Sequence, residues 1–277
     1  MSYGVTVVIG RSLAKANFGV TTVLGVRFGV AGLALVAVLL VRRRPVLPAP
    51  GERLRAFLLG AIGYGFESTL FFMGLERGTA AAVALLFYSY PAVVTLIEAA
   101  MQRRVPSTRS LLALALAGSG TAVVVVAGGA VTISSAGALI ALGSACSFGV
   151  YLLVSHAVIE HTDSLTLSAW VALGAALSFV VRGVVGSSLE QPGGHWPVMI
   201  LNGIATASAF TFMFAGLRRI GPSRTSVIMT LEALCAVVLA ALFLGEELRP
   251  LQLVGGAGIL AATVIIGTTR ATDPAVP

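Results

Sequence analysis

"FFMGLERG", residues 71–78, returns 142 residues later as "MFAGLRRI", residues 213–220. The register pairs Phe72 with Phe214, Gly74 with Gly216, Leu75 with Leu217 and Arg77 with Arg219. A second echo lies upstream. "YGVTVV" at 3–8 matches "FGVYLL" at 148–153, and that offset of 145 also pairs Thr21 with Thr166, Val26 with Val171, Gly29 with Gly174 and Ala31 with Ala176. Each match is weak alone, yet all follow one order along both halves. Self-similarity at a nearly fixed offset marks a duplicated structural unit. The chain reads as two related halves.

Composition identifies the solvent. Of 277 residues, 57% are hydrophobic and 10% charged, and mean hydropathy is +0.97. Soluble domains carry about 25% charged residues. The apolar residues come in runs of roughly twenty, the length a helix needs to cross a bilayer's hydrocarbon. Ten such segments are counted, at about 3–18, 21–41, 54–75, 79–101, 108–127, 134–158, 164–186, 196–217, 221–244 and 250–269. This predicts an all-α polytopic membrane protein with ten transmembrane helices. Barrel strands would alternate in hydropathy over about ten residues, and these runs do not. Residues 1–127 form the first five-helix repeat, 134–269 the second, and 270–277 a tail. Cys146 and Cys235 lie inside apolar runs, where a small packed hydrophobe is expected rather than a disulfide.

Five is odd, so the second repeat must enter the membrane inverted. Charge supports this. With the N-terminus inside, the cytoplasmic side receives Arg42, Arg43, Arg44, Arg53, Arg55, Arg103, Arg104, Arg109, Arg218, Arg219, Arg224 and Arg270, twelve of the eighteen basic residues. The positive-inside rule then places both termini in the cytoplasm of a multi-pass cell-membrane protein. The same rule accounts for the net charge of +7 without nucleic acid, since no basic-aromatic surface segment appears.

"YG" at 3–4, "VRFGVAGLAL" at 26–35, "YPAVV" at 90–94 and "LEALCAVVLAALFLGEEL" at 231–248 together resemble the EamA-type transporters of the drug/metabolite transporter (DMT) superfamily. The likeness covers nearly the whole chain. It implies ten helices in two inverted repeats, a central substrate cavity and export of small metabolites. Two departures stand out. The family's Leu-Glu-Pro has Ala233 in place of proline, whereas the first repeat keeps Pro91. A proline inside a helix removes a hydrogen bond and bends it, so the fourth helix is expected to kink and the ninth to run straighter. The first helix is also short by roughly three turns against its repeat partner, which points to a misassigned start or a truncated gene.

Intramembrane charges are the functional candidates, because each costs several kcal/mol, roughly 2.5–3.5 on insertion scales. Glu232 lies ~16 Å from the cytoplasmic end of its helix, near the midplane, where inverted-repeat transporters bind substrate. Its repeat counterpart is Tyr90, next to Pro91. Glu232 and Tyr90 are expected to face each other across the pseudo-two-fold axis, with Pro91 beside them. An ionised Glu232 suits a substrate ammonium; a protonated one suits proton coupling in antiport; a hydrogen-bonded strut is the structural alternative. Arg11 on the first helix is a candidate for a substrate carboxylate, with snorkelling of Arg11 and Lys15 as the alternative. Arg27 and Glu67 lie at similar depth on consecutive helices and suggest an ion pair or gate. Tyr64, Phe66, Phe87, Tyr88 and Tyr151 are candidates for stacking, Tyr88 standing closest in sequence to Tyr90. Glu98 and Arg182 lie near helix ends and are expected to be solvated.

The predicted function is a secondary transporter exporting amino acids or similar small polar metabolites by alternating access. A small-molecule substrate and the lipid bilayer are the expected partners, and no segment specifies an oligomer. No enzyme is expected, since there is no HExxH and no GxSxG, and the only aspartates, Asp163 and Asp273, lie outside helix centres. No cofactor is expected, and no metal, because His156, His161 and Asp163 lack a four-ligand pattern. The alternatives are a non-transporting scaffold or receptor, and a transporter inactivated by N-terminal truncation.

Overall fold

The computed structural model describes residues 19–129, 132–244 and 249–268. The first predicted segment, with Arg11 and Lys15, the Glu246 region and the tail lie outside the described residues. Eleven helices are present there: α1 Val20–Val41, α2 Arg53–Leu75, α3 Ala80–Phe87, α4 Tyr90–Gln102, α5 Thr108–Gly128, α6 Ser135–Ile159, α7 Ser164–Val185, α8 Trp196–Ile220, α9 Pro222–Met229, α10 Leu231–Leu244 and α11 Pro250–Thr268. They cover the nine predicted segments from the second onward, with α3–α4 and α9–α10 each forming one broken segment. Among the described residues, seven spans are long and apolar enough to cross a membrane. Only helices close all their backbone hydrogen bonds within one segment, as hydrocarbon requires.

The outward faces confirm what the solvent is. On α8 the buried residues Met199, Asn202, Thr206, Phe210, Met213 and Leu217 recur every three or four positions, while Phe212 is 73% exposed. Leu139 and Leu242 are each 72% exposed. Water would not tolerate so continuous an apolar surface; lipid does.

The chain divides into two compact units, and each draws on both sequence halves. One contains the described residues up to Phe66 together with Val154–Arg219; the other contains Glu67–Leu153 and the described residues from Ile220.

In the first unit α1 packs on α7, the helix that the sequence pairing of Thr21 with Thr166 expects as its counterpart. Gly25 lies against Val180 and Gly32 against Leu173, so the two helices run antiparallel. Phe28 stacks on Phe179 at 5.9 Å and is completely buried. Beside them α2 carries a π-helical turn, Leu59–Tyr64. There Gly60 and Gly174 let two backbones meet: a Cβ on Gly60 would overlap the Val171 carbonyl, and one on Gly174 the Phe57 carbonyl. The proline-rich connection after α1 is strapped down. The Thr166 hydroxyl donates to Pro45 O at 2.7 Å and Trp170 Nε1 to Val46 O at 2.8 Å. Asp163 caps α7 and meets Arg44 at 3.1 Å and Arg218 at 3.8 Å. At the opposite end Glu190 accepts from Gly19 N at 3.1 Å, completing a helix start whose own cap residue has no side chain.

In the second unit α5 packs antiparallel on α11, with Leu116 beside Gly258 and Val124 beside Gly255. The broken segments also pair, α4 with α9. Here the structure corrects one expectation. The segment with Pro91 breaks at Tyr88–Ser89, as the proline implied. Its partner breaks too, at Thr230, although Ala233 has replaced the proline. The reason is a hydroxyl. Thr230 Oγ1 donates to Val227 O at 2.7 Å, just as Ser89 Oγ donates to Leu86 O at 2.7 Å. Each bond reaches three residues back and competes with the helical ladder, and Ala233 N then bonds Thr230 O instead of Met229 O, at 3.1 Å.

Glu98 departs from expectation as well. Its carboxylate accepts from Ser223 N at 3.1 Å, from the Ser223 hydroxyl and from Gln102 at 3.3 Å. It caps α9, whose own cap residue is Gly221 with φ 78°. Because a lost cap costs about 1 kcal/mol, Glu98→Ala should lower stability by about 1–2 kcal/mol, and Glu98→Gln, which keeps an acceptor, by roughly half that. Thermal unfolding of the detergent-purified variants measures both.

Candidate functional site

The two helix breaks place the predicted residues in the second unit. Tyr90 opens α4, with Pro91 in the same first turn, and Glu232 sits in the first turn of α10. A helix start carries partial positive charge from its unbonded N–H groups, so this position offsets part of the penalty for an acid inside the membrane. The Glu232 carboxylate lies close enough to interact electrostatically with both Tyr88 and Tyr90. Tyr90 is 1% exposed, and its hydroxyl donates to Ser226 O of α9 at 3.3 Å.

An aromatic cluster surrounds the phenols. Tyr90 meets Phe148 edge-on at 4.9 Å, Phe87 lies 5.3 Å from Tyr90 and 5.4 Å from Phe148, and Tyr151 stacks on Phe148 at 5.8 Å. Ser144, Phe148 and Tyr151 follow helical spacing on α6 and share one face. Ser144 donates to the Glu67 carboxylate at 3.1 Å, which also accepts from Ser68 at 3.2 Å. Glu67 itself is 5% exposed. The arrangement joins a carboxylate to electron-rich ring faces, a combination that attracts an organic cation through charge and cation–π terms together.

Tyr88, Tyr90, Pro91 and Glu232 therefore come together, whereas Arg11 lies outside the described residues. Arg27, in the first unit, donates from Nε to Thr206 Oγ1 at 2.6 Å and lies 5.0 Å from the Phe28 ring. Of the stacking candidates, Phe87, Tyr88 and Tyr151 join the cluster and Tyr64 packs on Phe28 and Phe210 in the first unit. Phe66 is 55% exposed. Arg182 is exposed, as expected, and its guanidinium sits over Phe179 at 5.7 Å. Sequence reasoning missed Phe148. Its signal was available: the "FG" at 148–149 is the repeat counterpart of the "YG" that opens the first half.

A model of the EamA-like transporter family matches residues 1–126 and again 135–268. The chain belongs to the EamA-like transporter family. An uncharacterized transporter of Bacillus subtilis (strain 168) is 25% identical over 229 residues, 78% of this chain and 73% of that protein. The threonine/homoserine exporter RhtA of Escherichia coli (strain K12) is 35% identical over 139 residues, 46% of this chain and 44% of that protein. A solved crystal structure shares the fold with a TM-score of 0.80 at 18% identity, covering 95% of this chain and 94% of its own. As an EamA-like transporter the protein is a multi-pass membrane protein that carries a small molecule through the bilayer.

Proposed function

We propose that this transporter is a secondary exporter of amino acids or similar small polar metabolites, working by alternating access. The Glu232 carboxylate receives the substrate ammonium, and Tyr88 and Tyr90 with Phe148 supply ring faces around it. Glu232 alternates between substrate and proton, so export couples to proton entry. The observation that carries this reading is a carboxylate in the first turn of a half-helix, at a break in an otherwise apolar span. Discontinuous helices commonly build the substrate sites of inverted-repeat transporters.

Ten spans, inverted repeats and cytoplasmic termini belong to the same reading. Antiparallel packing of repeat partners within each unit favours inversion. So do the loop contacts: within the first unit, the connection after α1 meets the start of α7, both assigned to the cytoplasmic side by span counting. The similarity to RhtA over part of the chain favours threonine and homoserine as first substrates to test. Purified protein in proteoliposomes loaded with radiolabelled L-threonine should release it faster than empty-vesicle controls, and an imposed proton gradient should accelerate the release. Release no faster than from protein-free vesicles, for threonine, homoserine and a panel of other amino acids, would overturn the proposal.

A further inference from the structure

A second polar cluster lies in the first unit, where α8 crosses α1. Gly203 has no side chain, and a Cβ there would come within 3.0 Å of Arg27 O and 2.5 Å of the Val30 Cβ. That close approach brings the Asn202–Thr206 face of α8 against Arg27. The Thr206 hydroxyl, completely buried, donates to Asn202 O at 2.8 Å and receives Arg27 Nε at 2.6 Å. This fixes the guanidinium in one orientation. Its other four N–H groups bond nothing among the described residues, and its charge meets no carboxylate there.

Asn202 adds an independent sign. It is 1% exposed, and its buried Oδ1 has no hydrogen-bond partner among the described residues. Buried polar atoms are nearly always paired, and an unbalanced guanidinium inside the membrane is costlier still. An oriented arginine fork and an unmatched amide oxygen occur on facing helices, Asn202 one turn from Thr206. Phe28, Tyr64 and Phe210 pack together beside the arginine, and apolar surroundings strengthen charge pairing.

We infer that Arg27, Thr206 and Asn202 form a binding site for a carboxylate-bearing ligand. The arginine's terminal N–H groups grip the two carboxylate oxygens, and Asn202 Oδ1 accepts a donor of the same ligand. The choice of an amino acid as that ligand rests on the proposed function above; the preference for a carboxylate does not. Arg27 is thus a ligand contact rather than half of a static ion pair.

Equilibrium binding to the full-length protein in nanodiscs tests this with three probes: L-threonine, L-threoninamide, which lacks the carboxylate, and 3-hydroxybutyrate, which lacks the ammonium. Charge-assisted hydrogen bonds are each worth about 1.5–3 kcal/mol, so the wild type should bind L-threonine at least about tenfold more tightly than its amide. Arg27→Gln should erase that preference, and Arg27→Lys should keep part of it. Asn202→Asp supplies an internal carboxylate, so it should raise the melting temperature of the ligand-free protein while abolishing carboxylate binding. That pair of effects keeps the test informative even if Arg27→Gln fails to fold. Binding of 3-hydroxybutyrate but not threonine, lost in Arg27→Gln, would uphold the carboxylate site and overturn the amino-acid reading. Unchanged preference in Arg27→Gln, carboxylate binding surviving in Asn202→Asp, or no carboxylate bound by the wild type would overturn the inference.

Discussion

Glu232→Gln should reduce substrate flux by about thirtyfold or more while leaving membrane insertion and melting temperature near their wild-type values. The two roles open to this residue predict different outcomes. Glutamine keeps the length of the side chain and an acceptor oxygen, and adds two donors. A residue acting as a hydrogen-bonded strut would tolerate the change at about 1 kcal/mol. A residue that pairs with a substrate ammonium, or that must gain and lose a proton, would not. Losing one partner of a desolvated charge pair costs about 2–5 kcal/mol, which corresponds to roughly thirty- to several-thousand-fold in affinity. The position of Glu232 in the first turn of α10 sharpens the contrast, because the helix start stabilises the anion and so keeps it available to a cation. Flux in proteoliposomes, with insertion measured on the same vesicles, separates the alternatives. Wild-type flux with wild-type pH dependence in the variant would leave Glu232 as a strut.

Much of this architecture was legible because lipid imposes simple rules. Runs of apolar residues mark the helices from the second predicted segment onward, seven of them long and apolar enough to span among the described residues, and a single acid in such a run singles out Glu232. The repeat offset then named Tyr90 as its counterpart, and the two do share a cluster. What stayed hidden depends on contacts that no periodicity records. The break at Thr230 was not readable, because a threonine in a helix ordinarily bonds four residues back without stopping it; only the local geometry decides. A position near a helix end implies solvation for Glu98, whereas Ser223 reaches it from a segment far along the chain. Trp170 and Thr166 hold the proline-rich connection through backbone carbonyls, and carbonyls carry no sequence signal. Thr206 and Asn202 carry no sequence signal for a related reason. Small polar residues are common in membrane helices, and only the juxtaposition with Arg27 gives these two a role.

Gly120→Leu should prevent the second unit from folding, whereas Gly118→Leu, two residues away on the same helix, should leave stability near the wild-type value or above it. The difference follows from what each added side chain meets. A Cβ on Gly120 would lie 2.6 Å from the Gly255 carbonyl oxygen and 3.0 Å from Ile259 N. Both are backbone atoms of α11, which cannot rotate away as a side-chain tip would. Gly255 has the reciprocal constraint, 2.6 Å from Gly120 O, so the two helices touch backbone to backbone at these glycines. Close approach of this kind is the main source of helix association in a bilayer, where lipid tails compete for every ordinary apolar contact. Forcing α5 and α11 apart would also disturb the buried set Ala113, Ala117, Val227, Ala262 and Ile266 and, through Ala233 and Val124, the helix start that carries Glu232. Overpacking typically costs about 1–3 kcal/mol where side chains can yield; here the backbone must move, so the loss is expected to exceed that range. Gly118, by contrast, faces open space, where leucine meets only lipid and restores helix propensity worth about 1 kcal/mol. Size-exclusion profiles and melting curves of the two variants in one detergent give the comparison directly. Equal stability of the pair would mean that α5 and α11 do not pack at Gly120, and with it the antiparallel pairing of repeat partners in this unit would fail.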